Sequence, residues 1–177
     1  MDLPEGKNLV GAFRQPDLVL IDPEVLSTLP ERVYLAGMAE VIKYGCISDP
    51  EILNIASRED HKAMLAELIE RCIRIKIKVV EEDETEEGLR RILNFGHTVG
   101  HSVEKLGNYT ELSHGEAVSI GMAAAVKLGN RMGITKAGCY EKLTEILKSF
   151  RLPVELTCDP DRIYEGMLSD KKKQGDK

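Results

Sequence analysis

Two histidines spaced four residues apart are the first residues in this 177-residue chain whose types and spacing could do chemistry. His97 and His101 lie in RILNFGHTVGHSVE, a stretch otherwise typical of a helix, so both imidazoles would lie on one helical face. This spacing suits two ligands of one zinc ion or a proton-transfer site, and it also suits a packed or solvated pair. Thr98 follows His97, so the glutamate base of the H-E-x-x-H proteases is missing.

A third histidine makes the prediction of a metal site more specific than the helical pair alone does. His114 lies in ELSHGEAVSIGM, where a loop is predicted to lead into an apolar helix, and an imidazole is an unusual choice for a core there. His97, His101 and His114 fall within eighteen residues at two adjacent predicted helix starts, so they can converge. The fourth histidine, His61, lies in the charged run REDHKAM and is expected to be solvated.

One acidic residue lies in an apolar stretch. Glu40 stands between Ala39 and Val41 in YLAGMAEVIKYG, and glutamate is rarely buried without a partner. Catalytic zinc takes nitrogen, sulfur or carboxylate ligands and keeps one position open, so Glu40 is the candidate carboxylate ligand. The alternative is an exposed glutamate that pairs with Lys43 across one helical turn.

A polar face is predicted along a helix over residues 90–106. Four of its residues follow one another at steps of four, three and four: Arg90, Asn94, His97 and His101. Gly96 and Gly100 in the same helix each cost about 1 kcal/mol relative to alanine, which indicates that something comes close to the backbone. Lys76 on the preceding helix could reach the same region, and arginine and lysine here would recognise carboxylate or phosphate.

Helices must position these residues, because apolar residues recur mostly at three- and four-residue steps. Helices are predicted over about residues 30–45, 50–57, 60–82, 90–106, 114–131 and 135–149, with a short one after Pro160. The run DLVLID at residues 17–22 reads as a strand or an extended connector. The predicted fold class is mostly α: a multi-helix bundle in a single domain, with a short extended N-terminal arm over residues 1–29 and helices over residues 30–177.

Composition narrows the class of protein further. The chain is 42% hydrophobic and 31% charged, which is typical of a folded soluble domain. Its net charge of −6 argues against a nucleic-acid partner, and no apolar run approaches the roughly 18 residues of a membrane span. No signal peptide is visible, and the four cysteines are scattered without a C-x-x-C pair, so a cytoplasmic location is expected.

Several motifs together resemble the 3-dehydroquinate synthase family of sugar-phosphate cyclases. They are GMAEVIKYG, GLRRILNFGHTVGHSVE, LSHGEAVSIGM and SDKK, preceded by GKNLVGAFRQPDLVLIDPEVLSTLPER, and they cover nearly the whole chain. The resemblance implies the C-terminal helical domain of a two-domain enzyme. Its N-terminal NAD-binding domain is expected to be absent, because no Gly-rich βαβ fingerprint is present. The first fifteen residues and the terminal lysine run fit the same expectation of a piece of a longer enzyme.

The resemblance implies roles for individual residues. Glu40, His97 and His114 match the zinc ligands, which takes His101 off the metal and makes it a substrate-contacting, proton-handling group. The other residues that match catalytic positions are Lys43, Arg90 and Asn94. Substrate-binding positions are matched by His101, Lys76, Arg90, Asn94, by Asn8 on the phosphate side, and by Lys171 or Lys172. Lys7 matches a position near the cofactor.

The reaction implied by the resemblance is the cyclisation of 3-deoxy-arabino-heptulosonate 7-phosphate to 3-dehydroquinate with loss of phosphate, in the shikimate pathway to aromatic amino acids. The implied cofactors are Zn²⁺, for which Co²⁺ could substitute, and NAD. The implied partners are an anionic small-molecule substrate, the NAD-binding domain and a second copy in a homodimer. The chain alone is expected to be inactive. The alternatives are a sister sugar-phosphate cyclase, and a non-catalytic helical module with a structural zinc.

Overall fold

The computed structural model of the chain describes residues 10–11, 15–107, 112–156 and 159–175, with side chains up to residue 168. The α-helices in these ranges are α1 (Glu31–Ile47), α2 (Pro50–Ala56), α3 (Leu65–Glu82), α4 (His97–Leu106), α5 (His114–Arg131), α6 (Cys139–Ser149) and α7 (Pro160–Gly175). Three 3₁₀ segments cover Pro23–Thr28, His61–Met64 and Leu89–Asn94. The described residues contain no strand, which confirms the prediction of a mostly α fold.

The helix predicted over residues 90–106 is broken in the structure, and that prediction was wrong. Residues Leu89–Asn94 form a 3₁₀ segment, and α4 begins only at His97. The break falls at Gly96, whose φ of 82° is in the left-handed region that favours glycine. A side chain there would also meet α5, since a Cβ atom would lie 2.6 Å from Met122 Cγ and 2.8 Å from the Val118 carbonyl oxygen.

Other helix boundaries differ by a few residues from those predicted. Helix α1 runs on to Ile47, two residues past Gly45, where the pattern predicted its end. Helix α6 starts at Cys139, because Gly138 adopts a left-handed conformation with a φ of 83°. Helix α7 is longer than expected and extends to Gly175, through the lysine run.

Helix α5 lies at the centre of the packing. It contacts α1, α4 and α6, while α1 also contacts α2 and α3, and α4 also contacts α7. The main core is formed by α1, α2, α3, α5 and α6 with the segment after α6, and its fully buried side chains include Met38, Ile42, Ile52, Leu68, Met122 and Leu147. A smaller cluster of Val103, Ile120 and Ile163 joins α4, α5 and α7. Because α5 belongs to both clusters, it fixes α1 and α4 relative to each other.

Glycines bring the backbones of these helices into direct contact. A Cβ atom on Gly115 would collide with the Ala36 carbonyl oxygen on α1, and one on Gly121 would collide with the Gly96 carbonyl oxygen at the start of α4. Gly115 and Gly121 therefore let α1 and α4 approach the backbone of α5 closely. It is α5, too, that comes close to the glycine backbone of α4.

Replacing Gly121 by alanine should lower the free energy of unfolding by about 2–3 kcal/mol, because the new methyl group has no space beside the Gly96 carbonyl. Urea unfolding followed by circular dichroism measures this change. Gly37→Ala on α1 is the control: nothing lies within 4 Å of its Cβ position, so it should stabilise the chain by up to about 1 kcal/mol. A Gly121→Ala chain as stable as the unsubstituted one would contradict the close approach of α4 and α5.

His61 is not solvated as expected, and that expectation was wrong. Its ring lies between Tyr34 and Phe150, with centroid distances of 6.4 Å and 5.1 Å. Its Nδ1 lies 2.9 Å from the Arg58 carbonyl oxygen. His61 therefore contributes to packing between α1 and the end of α6.

No helix in the described ranges is both long and apolar enough to cross a membrane.

Candidate metal centre

Glu40, His97 and His114 meet at one point, although they come from three different helices. The Glu40 Oε1 atom lies 3.5 Å from His97 Nε2 and 3.6 Å from His114 Nε2. All three ligand atoms lie within 4.8 Å of one another. The structure thus brings together the carboxylate and the two imidazoles that the family resemblance assigns to a metal ion.

The two histidines owe their positions to helix starts. His97 is the first residue of α4, directly after the left-handed Gly96. His114 is the first residue of α5, where the Ser113 side chain and the Glu116 carboxylate form a capping box. Glu116 also accepts two hydrogen bonds from Arg32 on α1, at 3.0 Å and 2.8 Å, so the start of α5 is tied to the helix that carries Glu40.

Replacing Glu116 by glutamine should destabilise the chain by about 1 kcal/mol at pH 7, because glutamine can still accept the Ser113 hydrogen bonds but loses the ion pair with Arg32 and the negative charge at the start of α5. Arg32 lowers the pKa of Glu116 in the folded state, against the opposing effect of burial, and Ser113 lowers it further. A carboxyl with a lowered folded pKa stabilises the fold above its unfolded pKa of about 4.5, and this contribution disappears as the pH falls through the folded value.

Urea unfolding of the Glu116→Gln chain and the unsubstituted chain at a series of pH values tests this dependence. The difference in stability should be constant near neutral pH and should narrow below about pH 4.5. Glu145→Gln, at an exposed position of α6, is the matched control and should change stability little at any pH. A difference that is independent of pH would mean that the charge of Glu116 does not stabilise the start of α5.

The geometry of the three residues fits a divalent metal ion. Tetrahedral zinc with bonds of about 2.0–2.2 Å separates its ligand atoms by about 3.3–3.6 Å, and the two distances from Glu40 Oε1 are 3.5 and 3.6 Å. These distances are long for hydrogen bonds, and Glu40 Oε1 is buried without a hydrogen-bond partner among the described residues. An unpartnered buried carboxylate oxygen that faces two imidazole nitrogens is well explained by a cation between them.

The electrostatics of the site favour an ionised carboxylate. Burial alone would raise the pKa of Glu40, but the neighbouring His114 imidazole and the Lys43 ammonium outweigh burial and hold the pKa at about 2. Burial lowers the pKa of His97, and Glu40 offsets this only in part. The Glu40 carboxylate raises the pKa of His114, with a smaller contribution from Glu104. Near neutral pH the site therefore presents one carboxylate and at least one neutral imidazole.

Glu40 fits both interpretations that the sequence allowed, as a metal ligand and as an ion-pair partner of Lys43. The Lys43 Nζ atom lies 2.5 Å from Glu40 Oε2, so the predicted pair across one helical turn is present. The pair is not an exposed one, however, since the Lys43 side chain is only 4% exposed. Glu40 thus directs Oε2 to lysine and Oε1 to the histidines. A buried ammonium thus lies next to the site and compensates the charge of the Glu40 carboxylate.

His101 lies beside the three residues but outside their group. Its ring centroid is 5.5 Å from that of His97 and 6.0 Å from that of His114, and its side chain is exposed. The group that contains Glu40 holds His97 and His114 and not His101, so the histidine pair four residues apart is split. His101, Glu104 and His114 form a second, overlapping group of potential ligands.

Two of the predicted substrate-binding residues contact an acidic loop. Arg90 Nη1 donates a 2.7 Å hydrogen bond to the Glu84 carbonyl, and Asn94 Nδ2 donates a 2.6 Å hydrogen bond to the Glu86 carboxylate. Their 3₁₀ segment packs on α1 and on α3, the helix that carries the exposed Lys76. The break at Gly96 means that Arg90 and Asn94 do not continue the helical face of His97 and His101.

Two carboxylates that contact predicted site residues were missed by the sequence interpretation. Asp83 accepts hydrogen bonds from the backbone of Glu87, Gly88 and Arg90 at 2.8–3.0 Å and so shapes the acidic loop. Glu104 is buried on α4 and faces His114. The signal for Glu104 was present, since it follows His101 by three residues and shares its helical face.

Four predicted site residues have no described side chain. Lys7 and Asn8 lie outside the described residues, and Lys171 and Lys172 belong to the part of α7 in which only the backbone is described.

The fold is shared with solved structures of sugar-phosphate cyclases. One is 2-epi-5-epi-valiolone synthase from Streptomyces hygroscopicus with NAD⁺ and Zn²⁺ bound: the TM-score is 0.84 at 30% identity, over 99% of this chain and 51% of that one. Another is 2-deoxy-scyllo-inosose synthase complexed with carbaglucose-6-phosphate, NAD⁺ and Co²⁺, with a TM-score of 0.79 at 32% identity. Fold and site thus define a domain of the sugar-phosphate cyclase class.

Sequence comparison then specifies the family. The sequence model described as 3-dehydroquinate synthase C-terminal matches residues 37–173, and the one described as 3-dehydroquinate synthase N-terminal matches residues 1–36. The chain belongs to the 3-dehydroquinate synthase family. It is 49% identical to the 3-dehydroquinate synthase of Geobacter metallireducens over 176 residues and 46% identical to that of a Synechocystis species over 179 residues. The chain spans about half the length of the curated relatives it matches.

Proposed function

We propose that this chain is the metal- and substrate-binding half of a 3-dehydroquinate synthase. In this function it takes part in the cyclisation of 3-deoxy-arabino-heptulosonate 7-phosphate to 3-dehydroquinate with loss of phosphate. The observation that carries the proposal is the meeting of Glu40, His97 and His114 around a buried carboxylate oxygen that has no hydrogen-bond partner among the described residues. Identities of 44–49% to curated 3-dehydroquinate synthases support the choice of reaction.

Glu40, His97 and His114 would hold one divalent metal ion through Oε1 and the two Nε2 atoms. When bound at three protein ligands, such an ion keeps a position open and polarises an oxygen of the substrate. The nitrogen and carboxylate ligands suit Zn²⁺, and they also suit Co²⁺ as a substitute. The related structures with Zn²⁺ in one case and Co²⁺ in the other support a divalent ion in this class.

Positively charged and amide side chains around the metal ligands would bind the anionic substrate. Lys43 is already buried beside Glu40, and Arg90 and Asn94 lie on the 3₁₀ segment that leads to His97. Lys76 on α3, Asn8, and Lys171 or Lys172 would complete the contacts with the carboxylate and phosphate ends. Holding both ends of a substrate fixes the reacting carbons relative to the metal ion, which accounts for a large part of enzymatic rate enhancement.

His101 would move protons at the reacting centre. It is exposed, its ring is within 6.0 Å of both ligand histidines, and it lies outside the Glu40 group. An imidazole that is not a metal ligand can act as a general acid or base. Glu40, His97 and His114 are committed to the ion and cannot take this role at the same time.

The complete enzyme would also require NAD, bound by an N-terminal half, with Lys7 of this chain near the cofactor. The chemistry that NAD would supply is reversible hydride transfer at a secondary alcohol of the substrate. Both related structures contain NAD⁺, and this chain covers about half of each, which supports a cleft between two halves. A homodimer of the complete enzyme is part of the same proposal.

The test follows phosphate release from 3-deoxy-arabino-heptulosonate 7-phosphate in the presence of Zn²⁺ and NAD⁺. The 177-residue chain is assayed alone and together with a separately produced NAD-binding half from the Geobacter metallireducens relative. Sustained release of about 1 s⁻¹ or more is expected only in the mixture. Release by the chain alone would overturn its assignment as one half of the enzyme. A mixture that binds metal but releases no phosphate would overturn the assignment of this reaction to the chain.

A sister sugar-phosphate cyclase is the second candidate, because the solved structures above share the fold at TM-scores of 0.84 and 0.79. Arg90, Asn94 and Lys76 favour a substrate with a carboxylate, which another heptose or hexose phosphate lacks. Assays of the mixture with sedoheptulose 7-phosphate and glucose 6-phosphate distinguish the candidates. A non-catalytic module with a structural zinc would bind metal and release phosphate from none of these substrates.

A further inference from the structure

Glu104 is a buried carboxylate whose partner is one of the proposed metal ligands. Its side chain is 4% exposed, whereas that of His114 is 46% exposed. Glu104 Oε2 lies 3.3 Å from His114 Nδ1, so the protonated Nδ1 of a neutral imidazole would donate to the carboxylate. Burial of a carboxylate costs free energy unless hydrogen bonds or charges compensate. Glu104 lies on α4, which packs against α5 and α7, and its contact with His114 is one such compensating interaction.

The two ring nitrogens of His114 face different carboxylates. Nδ1 faces Glu104, and Nε2 lies 3.6 Å from Glu40 Oε1 at the proposed metal centre. A proton held on Nδ1 leaves the lone pair on Nε2, where it can bind a cation. The same arrangement holds at His97, whose Nδ1 lies 3.2 Å from the Phe95 carbonyl oxygen and whose Nε2 faces Glu40.

We propose that Glu104 is a positioning residue for the metal centre. It holds the ring of His114 in the tautomer and orientation that direct Nε2 at the ion, and it makes that nitrogen a stronger donor. Metal-binding histidines commonly give their second N–H to a carboxylate or a carbonyl, and loss of that partner typically costs 10–100-fold in metal affinity. The inference rests on the proposed function, because it assumes that Glu40, His97 and His114 bind the ion.

A direct metal-ligand role for Glu104 fits the geometry less well. His101, Glu104 and His114 also lie within 4.8 Å of one another. In that group, however, Glu104 Oε2 faces His114 Nδ1 at 3.3 Å, a distance that suits a direct contact between the two side chains. Glu40 Oε1, by contrast, is buried without a partner in the described part of the chain. A cation is needed at Glu40, and Glu104 serves that site through His114.

The experiment uses the 177-residue chain with Glu104→Leu, which removes the acceptor, and Glu104→Gln, which keeps an acceptor and removes the charge. Zn²⁺ affinity is measured by competition with a chromophoric chelator, and the visible spectrum of the Co²⁺-loaded chain reports the ligands. Nitrogen NMR of the metal-free chain, recorded at a pH well above the raised pKa of His114 so that the ring is neutral, reports the tautomer of His114. Ser102→Ala is the matched control, since Ser102 is also buried on α4 and contacts α7 at Gly166.

Glu104→Leu should lower the Zn²⁺ affinity by about 10–100-fold, and Glu104→Gln should lower it less. The Co²⁺ spectrum should retain the number of ligands in both variants. The Nδ1–H tautomer of His114 should dominate in the unsubstituted chain and in Glu104→Gln, and it should be lost in Glu104→Leu. Ser102→Ala should leave both the affinity and the tautomer unchanged. If Glu104→Leu does not fold, a lowered affinity in Glu104→Gln with the tautomer retained still supports the proposal.

Three results would overturn the proposal. Unchanged affinity and tautomer in Glu104→Leu would mean that Glu104 does not position His114. A Co²⁺ spectrum with fewer ligands in either Glu104 variant would make Glu104 a ligand itself. An equal loss of affinity in Ser102→Ala would indicate general loosening of α4. Failure of the unsubstituted chain to bind Zn²⁺ or Co²⁺ would instead reject the metal centre, and with it this part of the proposed function.

Discussion

Replacing His97 by alanine is expected to lower the Zn²⁺ affinity of the chain by about 10²–10³-fold, and Glu40→Ala and His114→Ala should do the same. The free energy of zinc binding at structural sites is roughly 10–16 kcal/mol, or about 2.5–4 kcal/mol for each of four ligands. Loss of one ligand on that scale corresponds to about 10²–10³-fold in affinity. Loss of His97 also removes one of the two imidazoles that face the buried Glu40 Oε1 and leaves His114 at 3.6 Å from it.

Chelator competition and metal analysis of the purified variants measure this loss. His61→Ala is the control, because His61 packs between Tyr34 and Phe150, away from the group that contains Glu40. It should lower stability somewhat and leave the metal content of the folded chain unchanged. Full metal content in all three variants would show that the chain binds the ion at another site.

The predicted fold agreed with the structure where local pattern determines it. Apolar steps of three and four residues located α1, α2, α3 and α5 to within a few residues, because each of these helices buries one continuous face. The pattern missed the break at Gly96, which depends on a contact with α5. A left-handed glycine inside a helical pattern reads from sequence only as an unfavourable residue.

The site shows a similar division between local and non-local information. Spacing alone pairs His97 with His101, since residues four apart share a helical face. The structure instead groups His97 with Glu40 and His114, and this depends on how α1, α4 and α5 cross. The periodicity of one segment carries no information about how its helix crosses the others. The resemblance to the family motifs, by contrast, grouped the same three residues.

Glu40 illustrates why competing interpretations of one residue need the structure. Its two oxygens have different surroundings: Oε2 pairs with Lys43, and Oε1 faces the histidines. The pairing of residues three apart on a helix was predictable from the sequence. That the pair would be largely buried beside two imidazoles was not, because burial of α1 at this point comes from its packing on α5.

Replacing His101 by alanine in the complete enzyme, this chain with its NAD-binding half, is expected to lower turnover by about 10²–10⁴-fold and to leave metal binding intact. This is the usual contribution of a general acid–base group. His101 lies next to both ligand histidines without belonging to the Glu40 group, so its removal takes away a proton carrier and not a ligand.

Steady-state phosphate release and metal content of the same preparation distinguish the two roles of histidine at this site. His97→Ala is the matched comparison, because it should lose both metal and turnover, whereas His101→Ala should lose turnover alone. If His101→Ala also loses metal, the two histidines four residues apart bind the ion together, as their spacing alone suggested. If it retains both metal and turnover, proton transfer depends on another group, and the exposed position of His101 has no part in the chemistry.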